Sequence, residues 1–200
     1  MGTDIHGAVE YRRTHGHAWN EPASWQVAID LEALHDERNY DAFDCLFGVR
    51  NHAGFRPLAP DRGLPEGASA EVRADIERWR SYESLDSVTW IGWEEIAAVD
   101  WDEPAERADR RVTIYRRGAD ATWVRTGKAL LRERAWRPDG EEWTEGREWE
   151  EGELLHRIER MTRREAVRPD GAWAPVFTVM RTLAGLHGEG NVRLTVWFDS

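Results

Sequence analysis

Residues 192–199, VRLTVWFD, decide the fold class. Val192, Leu194, Val196 and Phe198 alternate with Arg193, Thr195, Trp197 and Asp199. That is the two-residue period of a strand, whose successive side chains point to opposite faces. Residues 4–13 at the other end alternate in the same way. Asp4, His6, Ala8 and Glu10 fall on one face, and Ile5, Gly7, Val9 and Tyr11 on the other, which is the apolar one. Two such terminal strands are expected to be neighbours in a central, mostly antiparallel sheet. Helical patterns lie between them, so the expectation is a single α+β domain over residues 1–200, with several helices packed on that sheet.

A strand is expected near Trp25–Ile29, after an irregular stretch from Thr14. Asn39 reads as an N-cap, with Tyr40, Phe43 and Phe47 at helical spacing and Gly48 as the stop. A second helix starts at Ser69, with Val72, Ile76 and Trp79 on one stripe. A strand near Val88–Ile91 and a short helix from Trp93 to Val99 follow. Arg111–Arg116 and Thr122–Thr126, around Gly118-Ala119-Asp120, read as a hairpin. Residues 139–153 are acid-rich with few apolar side chains and read as an exposed, poorly ordered connector. Leu154, Leu155, Ile158 and Met161 then predict a helix, and Ala174–Leu186 another, ending at Gly188. The tetrapeptide RPDG at 137–140 and again at 168–171 is turn chemistry used twice.

The net charge of −11 argues against extended nucleic-acid binding, which needs a broad basic face. No run of about 18 apolar residues exists to span a membrane, and the charged N-terminal segment does not read as a leader, so a cytoplasmic location is expected. The only cysteine, Cys45, falls inside an apolar helical pattern and reads as an inert buried thiol. Twelve tryptophans suggest an aromatic core. Lys128 is the only lysine among 27 basic residues, so arginine abundance by itself says little about phosphate recognition.

The least bland stretch is 38–65, RNYDAFDCLFGVRNHAGFRPLAPDRGLP. Its Gly- and Pro-rich second half cannot be a regular element, and long loops in compact domains are usually functional or mobile. Arg50, Asn51, His52, Arg56 and Arg62 face a single acid there, Asp61, with Arg38 and Asn39 just upstream. Guanidinium and amide donors in that density suit a small anionic ligand held by bidentate, charge-assisted bonds. Tyr40, Phe55 or Trp90 would stack on a base if the ligand were a nucleotide. The competing reading is that the arginines merely pin the loop to its own carbonyls and to Asp41, Asp44 or Asp61. Separately, Asp4, His6 and Glu10 share one strand face, the arrangement in which carboxylates and an imidazole hold a divalent metal. Glu94 and Glu95 read as solvated helix surface.

MGTDIHG at the start, RNYDAF, GVRN, GF, RGLP, TWIGWEEI at 89–96 and the closing VRLTVWFDS together resemble a family of uncharacterised bacteriophage and prophage proteins. Its members open with Met-Gly-x-Asp-Ile-His and share RNYxxF, VRN and GLP blocks. Relatives place histidines just before the Trp of the TWIGWEEI block, where this chain has Ser84 to Thr89. The resemblance implies a phage accessory protein and names no activity. Three functions stay open: a protein that binds or sequesters a small anionic ligand, nucleotides included; a metal-dependent hydrolase using Asp4 and His6; and an inhibitor that binds a host protein through 139–153. No cofactor is firmly implied beyond a divalent metal in the second case.

Overall fold

The computed structural model describes residues 2–13, 24–82, 84–130 and 144–199. The irregular stretch 14–23, the first RPDG and the 139–143 part of the expected connector lie outside the described residues. The chain is α+β. Strands β1 (Asp4–Arg12), β2 (Trp25–Asp30), β3 (Leu85–Gly92) and β8 (Val192–Asp199) form one antiparallel sheet in the order β2-β1-β8-β3. Its centre is the expected pairing of the two terminal strands, from Asp4 opposite Asp199 to Tyr11 opposite Val192. Gly7 sits where β1 and β8 come closest, and a Cβ there would collide with the Thr195 carbonyl.

Both faces of this sheet are covered. Ile5, Val9, Leu194, Val196 and Phe198 point into the main core, against Phe43, Leu46 and Phe47 of α1 (Tyr40–Phe47) and Val176, Phe177 and Met180 of α5 (Ala174–His187). The opposite face places Ala8, Val88 and Trp197 against Val72 and Ile76 of α2 (Ala70–Ser81). Burying each Phe, Leu or Ile side chain contributes about 1.5–3 kcal/mol, so these two layers supply most of the drive to fold. The helix signals act as read: Asn39 Oδ1 accepts from Ala42 N at 3.2 Å, Ser69 Oγ accepts from Val72 N at 3.2 Å, and Gly48 ends α1 at φ 77°.

Because both faces are buried, the polar residue Glu10 lies inside. It is fully buried, as is Arg193 opposite it on β8. Arg193 Nε donates to Glu10 Oε2 at 2.8 Å, Thr195 Oγ1 donates to the same oxygen at 2.7 Å, and Ser69 N donates to Oε1 at 2.8 Å. Burial alone would raise the carboxyl's pKa. The bonds from Arg193, Ser69 and Thr195 outweigh it and hold Glu10 below the usual range. The Arg193 guanidinium also lies 3.7 Å from the Trp25 ring centre. The pair fastens the start of α2 to the sheet.

A second antiparallel sheet has the order β5-β4-β7-β6, built from β4 (Arg111–Arg117), β5 (Trp123–Leu130), β6 (Glu148–Glu151) and β7 (Leu154–Arg157). The β4–β5 hairpin is as expected. The helix expected from Leu154 is not formed: Leu154–Arg157 pair with β4 on one side and β6 on the other. Leu155, Ile158 and Met161 are buried as expected, but a short apolar run carries the same spacing in an extended segment. The helix comes later, as α4 (Arg163–Val167), with a Thr162–Glu165 capping box. The described part of the acidic connector is likewise ordered, because Glu148–Glu151 gain ladder bonds from β7 that compensate for their few apolar contacts. The remaining helix, α3 (Trp93–Ala97), follows β3 directly. No helix among the described residues is long and apolar enough to cross a membrane.

Candidate anion cleft

The loop after α1 is fastened from beneath. Asp44, on the inner face of α1, is buried and accepts from Ala53 N at 2.8 Å. Burial pushes its carboxyl up to about 7, against the single stabilising bond from Ala53. The neighbouring Cys45 thiol is pushed up to about 11 by burial, which fits an inert side chain.

The structure does not gather the arginines of 38–62 into one cavity. Arg38 forms a two-pronged pair with Asp4, at 2.6 Å for Nη2, on an exposed surface. Asn39 is spent on the α1 cap and on the Ala166 carbonyl, to which Nδ2 donates at 3.0 Å. Arg50 Nε donates to Thr3 Oγ1 at 2.8 Å. Arg56 is exposed, and only its carbonyl is used, accepting from Arg163 at 3.1 Å. Arg62 is fully engaged: Glu95 receives both its terminal nitrogens at 2.9 and 2.7 Å, and the Leu58 and Trp90 carbonyls take further bonds. Its guanidinium sits 5.1 Å over the Trp90 ring. The aromatic residues considered for a base are also occupied: Tyr40 Oη accepts from Thr3 N, Phe55 is buried beneath Arg163, and Arg62 covers one face of Trp90. Glu95 belongs to this strap and is not idle helix surface.

Asn51 and His52 stand apart from this pinning and meet a segment that the sequence reading passed over. Asn51 braces its own turn, donating to the Phe55 carbonyl and accepting from Gly54 N, both at 3.0 Å. Arg110 N donates to the His52 carbonyl at 3.0 Å, and Glu106 N donates to the Gly54 carbonyl at 3.1 Å, so loops 51–54 and 106–110 run side by side. Beside them opens a cleft of about 520 Å³ lined by Asn51, His52, Arg107, Arg110 and Arg160 together with the acids Glu106 and Glu145. Arg160 pairs with Glu145 at 2.5 Å. Arg107 and Arg110 are exposed, and their side chains have no partner among the described residues.

The 106–110 loop is held at its base by Asp109. Its carboxylate is buried and accepts from Lys128 at 2.5 Å and from Arg111 at 2.9 and 2.7 Å, and the Asp109 backbone N–H donates to the Glu159 carbonyl at 3.0 Å. Burial would raise its pKa, but Arg111 and Lys128 prevail and hold it below the usual range. Arg111 is spent on Asp109 and Asp41. One buried acid thereby fixes a loop whose other arginines face outward. A signal for this site was present, since Arg107, Arg110 and Arg111 crowd five positions. What hid it was the surrounding acids, which made the segment look neutral.

The residues expected to hold a metal are divided. Glu10 is consumed by Arg193 and Asp4 by Arg38, while His6 Nδ1 lies 3.1 Å from Glu32 and Nε2 3.5 Å from Asp199. Among the described residues, no three His, Cys, Asp or Glu side chains stand together so as to hold a metal ion. No protein-family model, curated protein or solved structure matches the chain.

Proposed function

We propose that the protein binds a small anion, carried on a phosphate or carboxylate group, in the cleft between loops 51–54 and 106–110. The observation that carries this reading is the pair Arg107 and Arg110, two guanidinium groups without carboxylate partners among the described residues, in a chain of net charge −11. A guanidinium presents a planar fork of donors that matches an oxyanion, and Asn51 and His52 extend the donor set on the facing loop. The loops are braced before any ligand arrives, by the two inter-loop backbone bonds and by Asp109, so little ordering has to accompany binding. No Phe, Tyr or Trp is among the described residues that line the cleft, so the anionic group itself is the recognised part, with the His52 ring the one aromatic surface beside it. Sequestration fits a ligand that is held and released unchanged.

The test is a thermal-shift and calorimetric series with inorganic phosphate, nucleoside mono- and triphosphates and a dicarboxylate, against the Arg107→Ala/Arg110→Ala double variant. At ligand concentrations about a hundredfold above Kd, the expected stabilisation is about 2.7 kcal/mol in the parent chain and absent in the variant. Binding should weaken with added salt. Phosphorus NMR of a bound nucleotide, unchanged after prolonged incubation, separates sequestration from turnover. Stabilisation that survives in the double variant would place any anion site elsewhere.

A further inference from the structure

The cleft between loops 51–54 and 106–110 is lined by carboxylates as well as guanidinium groups, and that mixture narrows what it can hold. Glu106 and Glu145 stand among Arg107, Arg110 and Arg160. Arg160 is placed by two acceptors: its Nε donates to Glu145 at 2.5 Å and its Nη1 to the Ala105 carbonyl at 3.5 Å. Glu106 has its backbone N–H fixed on the Gly54 carbonyl at 3.1 Å, while its side chain is exposed and without a partner among the described residues. A bare carboxylate is therefore kept in the same lining as the open arginines.

A ligand in this cleft has to meet both signs at once. One oxyanion is matched by the forks of Arg107 and Arg110. A second or third phosphate would lie against Glu106 or Glu145, where like charges repel, so a polyphosphate suits the lining poorly. An ammonium group would meet three guanidinium groups. A hydroxyl suits what remains, because it donates one hydrogen bond and accepts two. The Arg160–Glu145 pair presents a donor and an acceptor side by side, and two neighbouring hydroxyls answer them together. One gives its hydrogen to Glu145, and the other accepts from Arg160 Nη2, which neither Glu145 nor Ala105 uses. Asn51 has the same two-way character, with a second N–H on Nδ2 and a second lone pair on Oδ1 beyond the bonds that brace its turn. The volume of about 520 Å³ lies within the range of about 300–1,000 Å³ usual for small-molecule sites.

Granted the anion cleft proposed above, on which this depends, we infer that its ligand is a sugar monophosphate, with the phosphate on Arg107 and Arg110 and the hydroxyls on Glu106 and the Arg160–Glu145 pair. The carboxylates then select the sugar, and the open arginines hold its charge.

Calorimetry on the full chain compares ribose 5-phosphate with n-pentyl phosphate, which carries the same charged group and no hydroxyl, and with inorganic phosphate, free ribose and a nucleoside triphosphate. Ribose 5-phosphate should saturate the site and bind about tenfold more tightly than pentyl phosphate, the equivalent of about one charge-assisted hydrogen bond, while free ribose gives no measurable heat. In Glu106→Ala/Glu145→Ala that preference should fall to about onefold, while inorganic phosphate binds more tightly because two negative charges have left the lining. Both substitutions fall on exposed side chains, and opposite shifts for two ligands cannot come from a general loss of fold, which the melting curve also checks. Equal affinity for the two esters, a triphosphate that binds more tightly than ribose 5-phosphate, or a preference that survives in the double variant would each overturn the sugar and leave the anion cleft standing. Binding of none of the phosphates would remove the cleft and its ligand together.

Discussion

The loop from Arg50 to Arg62 and the loop from Glu106 to Arg110 lie side by side, yet Arg50 and Arg62 are used in the opposite way to Arg107 and Arg110, with exposed Arg56 the exception in the first loop. In the first, Arg62 is held by a carboxylate, two carbonyls and an indole ring, and Arg50 by Thr3. In the second, Arg107 and Arg110 are left open while Asp109 beneath them does the holding. A guanidinium cannot lose its charge, so it either finds acceptors inside the fold or stays available for one from outside. Arginine density in a sequence does not distinguish the two. What distinguishes them is whether acceptors within the fold reach the guanidinium, as Glu95 and two carbonyls reach Arg62.

The contrast can be broken at its strongest point by removing a carboxylate that holds a buried arginine. Glu10→Ala leaves Arg193 buried and unpaired, and should cost about 3–5 kcal/mol in a denaturant titration. A loss below about 1 kcal/mol would mean that the pair is not buried as described. Next comes Asp44, whose pH behaviour is opposite in sign to that of Glu10. Its folded pKa of about 7 lies above the ordinary 3.8, so its contribution is fully present below the ordinary value and is lost as pH rises through about 7. Between those limits this group makes stability fall with rising pH, by up to about 1.4 kcal/mol per unit. Asp44→Asn should flatten that slope, and a slope unchanged in the variant would show that Asp44 titrates normally. Glu10, held below its usual range, contributes stability above that range and loses it as pH falls further.

A smaller effect sharpens the distinction between the loops themselves. Arg62→Ala should destabilise by about 1–2 kcal/mol, since a half-buried bidentate pair and two carbonyl bonds go, while anion affinity stays unchanged. Arg107→Ala/Arg110→Ala should do the reverse, leaving stability within about 0.5 kcal/mol and abolishing anion-dependent stabilisation. If Arg62→Ala alone abolishes anion binding, the assignment of the two loops is inverted.

The sheet was legible in the sequence because its two central strands alternate cleanly, and the helix caps at Asn39 and Ser69 were legible because a side-chain acceptor at that position has little else to do. The segment after Leu154 was not, since four apolar residues at mixed spacing fit either a strand or a helix and only the ladder with β4 decides between them. The faces of β1 were half legible: Ile5 and Val9 point into the main core as read, but Glu10, read as a candidate metal ligand, is buried against the start of α2. His52 was singled out with Asn51, which lines the same cleft, and with arginines that are spent or exposed elsewhere. Its true neighbours, Arg107 and Arg110, lie more than fifty positions away and reach it through the backbone bonds between two loops, which no local pattern records.

The pairing of β1 with β8 sets a constraint on how the chain is made. Glu10 and Arg193 are 183 positions apart, so at about 5–20 residues per second the carboxylate leaves the ribosome roughly ten to forty seconds before its counter-ion exists. Until then the strand that carries it has only β2 beside it, and its other edge waits for β8. The nascent polypeptide therefore carries β1 with one edge open until β8 emerges, and its central ribbon closes only then.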